Sequence, residues 1–141
     1  MNIEAERIRA VVESFYGDIW NRRDKAKIPL LLRTNFTFRG SLGQAMTGHE
    51  GFASYLDFVH ATLAEFRCDI VDLVVEKPKA FARMRFSGIH REMFFGFAPT
   101  WKPIEWAGAA LFTFLEGQVG DLWVLGDVHG LLQVLERNAQ G

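Results

Sequence analysis

The sequence is short of most features that mark a specialised chemistry. A single cysteine, Cys68, rules out an internal disulfide and any cysteine-cluster metal site. The four histidines, His49, His60, His90 and His129, form no i, i+4 pair and carry no acidic ligand pattern, so no metal is expected. Sixteen basic residues against 17 acidic ones leave a formal net charge of −1, and neither sign forms a block. Without a basic face, nucleic acid and anionic membrane surfaces are not expected partners. No apolar run approaches the roughly 20 residues that cross a bilayer. The polar, helical-looking start NIEAERIRAVVE does not read as a signal peptide. The expectation is a soluble, cytoplasmic protein. No internal repeat, linker or low-complexity stretch interrupts the chain, so residues 1–141 are expected to form one domain.

Aromatic residues, by contrast, are plentiful. Thirteen Phe and 4 Trp in 141 residues suit a large core, a lined cavity or an apolar interface. Ile8, Val11, Val12, Phe15, Ile19 and Trp20 recur at helical spacing, which predicts an amphipathic helix over 3–21. A short second helix is expected over 24–32, with Pro29 in its first turn. Phe36 and Phe38 alternate with polar neighbours in a strand, and 44–47 can pair back after the turn at 40–43. Thr47 and Glu50 have the spacing of a capping box for a helix over 48–64, with Phe52, Tyr55, Leu56, Val59 and Leu63 on its buried face. From residue 66 the period becomes two. Strands are expected over 67–76, 79–91, 103–115 and 118–129, with a loop over 93–102 holding Phe94, Phe95, Phe97 and Trp101. Three helices followed by a sheet meander is an α+β layout, with a curved sheet wrapped around the N-terminal helices.

Several polar residues fall where chemistry is possible. Asp127 shares a strand face with Trp123, four residues earlier. Burial there would lift its pKa and make it a general base, whereas a strand-end aspartate would accept backbone hydrogen bonds or face solvent. His90 follows Met84, Phe86 and Gly88 on one face, so it is expected to point into apolar space as an oxyanion donor or a satisfied core histidine. Tyr16, Trp20 and Asn21 are placed to close one end of a cavity, with Tyr16 as a possible phenolic donor. His129 is a weaker second candidate. Arg83 and Arg85 fall on the opposite, outer face, which argues against an Asp–Arg–Asp hydrolase relay. The four aromatics of 93–102 read as a lid. Strand 103–115 is apolar on both faces, so a homodimer through the outer sheet face is expected.

Three separated segments resemble one family. Phe15-Tyr16 through Trp20-Asn21-Arg22-Arg23-Asp24 resembles the opening of the SnoaL-like polyketide cyclases and predicted ester cyclases. Ser87-Gly88-Ile89-His90, followed by Gly96, Pro99 and Thr100, resembles their "G-x-H…G-x-x-P-T-G" segment. Phe112 to Leu132 resembles their closing pattern through Glu116-Gly117-Gln118-Val119, Trp123, Asp127 and Leu131-Leu132. The resemblance implies the cone-shaped α+β barrel shared with nuclear transport factor 2, ketosteroid isomerase and scytalone dehydratase. It also implies a cavity between helices and sheet, no cofactor, and often a dimer. The aspartate matching Asp127 is the acid/base of an aldol ring closure in that family. Two positions depart from the pattern: Trp101 stands where many members have Gly, and Thr113 where a second polar catalytic group is placed. The expected activity is acid/base work on a small apolar carbonyl compound, by cyclisation or isomerisation. Asp127, His90 and Tyr16 are the catalytic candidates. Trp20, Asn21, Phe36, Tyr55, Met84, Phe86, Phe97, Trp101, Trp106 and Trp123 are the candidate substrate contacts. A non-catalytic binding domain, a dimerisation module with a vestigial pocket and an epoxide hydrolase-like enzyme are the alternatives.

Overall fold

The computed structural model describes residues 3–141. Helix α1 (Ile3–Ser14) does not simply continue to Trp20; it widens into a π-helical turn over Phe15–Trp20. The Asn21 amide N–H accordingly donates to the Tyr16 carbonyl, five residues back (2.9 Å). Such wide turns re-aim side chains and are frequent at functional sites. A 3₁₀ turn over Lys25–Lys27 leads into the one-turn helix α2 (Ile28–Leu31), with Pro29 in its first turn as expected. Helix α3 (Gly48–Thr62) buries Phe52, Tyr55, Leu56 and Val59, the face that the spacing predicts. Its capping box does not form. Thr47 makes no side-chain cap, and Gly48 turns the chain at φ +79° instead.

Six strands make one curved, unclosed mixed sheet, ordered β2-β1-β6-β5-β4-β3. They are β1 (Leu32–Arg39), β2 (Ala45–Thr47), β3 (Leu63–Glu76), β4 (Lys79–His90), β5 (Pro103–Leu115) and β6 (Gln118–Gly126). All neighbours are antiparallel except β1 and β6, which run parallel. Register shifts in β1, β3 and β6 against their partners bend the sheet, as bulges do. On the concave face Cys68, Phe86 and Trp106 stand in one cross-strand row. The core lies between this face and helices α1 and α3, with Phe15, Phe36, Phe52 and Phe112 fully buried.

The end of the chain departs from the sequence expectation. The last strand stops at Gly126, and a fourth helix, α4 (Val128–Gln140), follows where a strand to 129 was predicted. Leu131 and Leu135, four apart, are its buried stripe. The signal was present: an Asp followed by apolar residues at helical spacing is a helix start.

Candidate active site

Between the helices and the concave face lies a cavity of about 20 Å³, room for a single water molecule. Its wall is Phe15, Tyr16 and Trp20 from the π-helical turn, Tyr55 and Val59 from α3, Phe38 from β1, Phe66 and Cys68 from β3, and Phe86, Trp106 and Val124 from the next three strands, completed by Ser41 and Leu42 from the turn after β1. Aromatic rings dominate: Trp20 meets Tyr55 and Phe66 edge-on, at centroid separations of 6.0 and 5.5 Å, and Phe86 lies 5.5 Å from Trp106.

Within that apolar wall two donors have no partner. The Tyr16 hydroxyl and the Trp106 indole N–H are both buried and unbonded. Leaving such a group unpaired costs about 1–3 kcal/mol, so fully buried donors normally find a partner. Burial, with a smaller contribution from Cys68, pushes the Tyr16 phenol well above its ordinary value. Tyr16 therefore stays protonated, a donor throughout the neutral range. Burial, and then Asp69, also pushes the Cys68 thiol up. Tyr55 is raised to about 12 by burial, against the opposing hydrogen bonds of Ser41 and the Leu42 backbone. The turn carrying Tyr16 is pinned to β3 by Asn21. Its amide donates to the Cys68 carbonyl (2.9 Å) and its side-chain oxygen accepts from the Cys68 N–H (2.8 Å). His60 holds the end of the same turn through the Trp20 carbonyl (2.8 Å).

The other expected contacts are elsewhere. Asp127 is not in a dry cavity beside Trp123. It is exposed and caps α4, its Oδ1 accepting from the Gly130 N–H at 2.9 Å. Trp123 and Leu125 are on the convex face, because beyond the register shift after Val119 the odd-numbered residues of β6 point outward. Trp123 lies under the Arg39 guanidinium, 5.8 Å away. His90 is fully buried on the expected face, but it does not line the cavity. Its Nδ1 faces the Thr100 hydroxyl at 3.4 Å, and its Nε2 has no partner. Phe36 and Met84 are core residues outside the wall, and Asn21 acts through the Cys68 backbone. None of the four aromatics of 93–102 lines the cavity: Phe94 is buried with its ring 6.4 Å from that of Trp106, Phe97 is half-buried against Phe94, Phe95 is exposed and Trp101 is 62% exposed. Trp101 thus neither lines nor plugs the cavity. His129 is exposed on α4. Arg83 and Arg85 sit outside as expected, facing Asp72 (2.9 Å) and Glu105 (3.8 Å), so no relay enters the cavity. Of the expected set, Tyr16, Trp20, Tyr55, Phe86 and Trp106 come together. Sequence reasoning did not place Phe15, Phe38, Val59, Phe66, Cys68 and Val124 in the wall, although period marks each as one of two possible faces, nor Ser41 and Leu42, for which no signal existed.

A profile of the SnoaL-like polyketide cyclases matches residues 10–135. The chain belongs to that family. No curated protein matches it by sequence. Among solved structures, it is similar to TsrD from Streptomyces laurentii (22% identity, 95% of this chain and 98% of that one, TM-score 0.82). A proposed SnoaL-like polyketide cyclase from Jannaschia sp. CCS1 superposes with TM-score 0.85 at 15% identity, covering 96% of this chain and 95% of its own. IdmH from Streptomyces antibioticus, a proposed polyketide cyclase, gives 0.78 at 18% identity, covering 96% and 99%. At these identities the likeness establishes the fold. Among the described residues no helix is long and apolar enough to cross a membrane, and no group of His, Cys, Asp and Glu could hold a metal ion.

Proposed function

We propose that this SnoaL-like domain takes a small apolar carbonyl compound into its aromatic cavity, with the Tyr16 hydroxyl and the Trp106 indole N–H as hydrogen-bond donors to it. The observation that carries this is the pair of buried, partnerless donors in an otherwise apolar wall. A site built to hydrogen-bond an oxygen discriminates strongly against an analogue that lacks it. The printed names of the structural neighbours, proposed polyketide cyclases, suit a ligand of this kind.

Binding is better supported than proton transfer. The wall contains no carboxylate and no histidine, and Asp127, on which the acid/base reading rests, is outside it and committed to its helix. The small volume favours a second reading, a scaffold whose pocket has packed shut. Titration of tryptophan fluorescence with 2-tetralone and with tetralin, its hydrocarbon counterpart, separates the two. About tenfold tighter binding of the ketone is expected; equal affinities, or none, would defeat the ligand reading. We also propose a homodimer through the convex face, where exposed Phe81, Leu111 and Trp123 form one cross-strand row.

A further inference from the structure

A cavity sized for one water admits a ligand only if part of its wall moves, and the wall is not uniform. Eleven of its residues lie on helices or strands, and all eleven are buried. Only Ser41 and Leu42 are half-exposed, and only they belong to a turn. That turn is closed on itself by the Gly40 N–H to the Gln44 carbonyl (2.8 Å) and the Gly43 N–H to the Gly40 carbonyl (3.0 Å), with Gly43 at φ +93°. It can therefore swing as a unit without giving up its own bonds.

Leu42 packs against the core, and close contacts hold the rest of the turn from three sides. On one side the Tyr55 hydroxyl is wedged against the turn, so close that a Cβ on Gly40 would lie 2.7 Å from it. On the other side the Ser41 carbonyl rests on Gly126, where a Cβ would overlap it. Arg39 ties the Gly40 and Val124 carbonyls together from outside.

We propose that the turn at residues 40–43 is the door of the cavity and that the Tyr55 hydroxyl is its latch. The inference rests on the ligand reading for its purpose, but its test needs no ligand. Cys68 is the one thiol of the chain and lines the cavity, so its reaction with methyl methanethiosulfonate reports on access. The thiolate attacks the reagent's sulfenyl sulfur, forms a mixed disulfide and expels methanesulfinate.

At fixed pH in native buffer, Tyr55→Phe, which removes the hydroxyl wedged against Gly40, is expected to raise the labelling rate about tenfold, the order of one lost polar contact. Gly40→Ala, which displaces the hydroxyl without replacing any residue of the wall, is expected to do the same. Leu135→Ala destabilises the fold far from the turn, and is expected to raise labelling only as far as its global unfolding in urea predicts. The door would be overturned if Tyr55→Phe and Gly40→Ala label at the wild-type rate, or no faster than their own global unfolding allows. Failure of 2-tetralone to bind would sink the ligand reading and leave the door to the labelling rates.

Discussion

Two places in this molecule carry polar groups that the sequence marks, and they have opposite characters. At the β6–α4 corner, Asp127 is exposed and satisfied: its carboxylate caps α4 through Gly130, and its N–H donates to the Ala107 carbonyl (2.8 Å). Under the π-helical turn, Tyr16 is 3% exposed and its hydroxyl has no partner, as is true of the Trp106 indole beside the same cavity. A polar group that is fully used by the fold contributes stability. One that is buried and unused costs stability. The contrast gives the two regions opposite responses to mutation.

The largest effect belongs to the packing beneath the corner. Leu131 is fully buried, and Leu131→Ala is expected to cost about 3 kcal/mol in urea unfolding, as deletions of buried leucines do. A loss under about 1 kcal/mol would mean that α4 is not docked as described. Next comes the cap: Asp127→Ala should cost about 1 kcal/mol, while Asp127→Asn, an equally good cap, should cost only a few tenths.

Tyr16→Phe should behave in the reverse way. Removing a hydroxyl that has no partner relieves its desolvation, so stability is expected to stay level or rise by up to about 1 kcal/mol. A loss of more than about 1 kcal/mol would show that the hydroxyl is satisfied and would erase the contrast. The mildest test is acidity. His60 is held below its ordinary pKa by burial, partly offset by its bond to the Trp20 carbonyl. Above about pH 6.5, folded and unfolded chains are both neutral at this site. As pH falls below that, the unfolded chain takes up the proton first, so stability declines until the lowered folded pKa is reached. Replacing His60 by Gln should flatten that limb of the stability–pH curve; an unchanged slope would remove His60 as its source.

Much of the fold was legible because burial in this chain follows simple periods. Met84, Phe86 and His90 on β4, and Trp106, Ala110 and Phe112 on β5, point inward as their alternation requires. The 3.6-residue spacing of Phe52, Tyr55, Leu56 and Val59 likewise fixes the buried face of α3. The site was less legible. Asp127 reads as a strand residue only if period two is carried one turn too far, past Gly126, where the backbone leaves the sheet. Trp123 reads as a cavity wall only if β6 has the opposite phase, and parity alone does not say which phase faces in. Whether a donor is partnered depends on residues distant in sequence, as with Asn21 and Cys68, 47 positions apart. Ser41 and Leu42 reach the cavity because Gly40 and Gly126 let the turn sit close, an effect of missing side chains that no hydrophobic pattern records.

We propose that ligand recognition belongs to Tyr16 and not to the Asp127 corner. The most direct measurement is the affinity of 2-tetralone for the wild-type protein, Tyr16→Phe and Asp127→Asn, by calorimetric titration side by side. About tenfold weaker binding is expected for Tyr16→Phe, with its stability intact, and wild-type affinity for Asp127→Asn. Weakened binding in Asp127→Asn alongside wild-type affinity in Tyr16→Phe would contradict it.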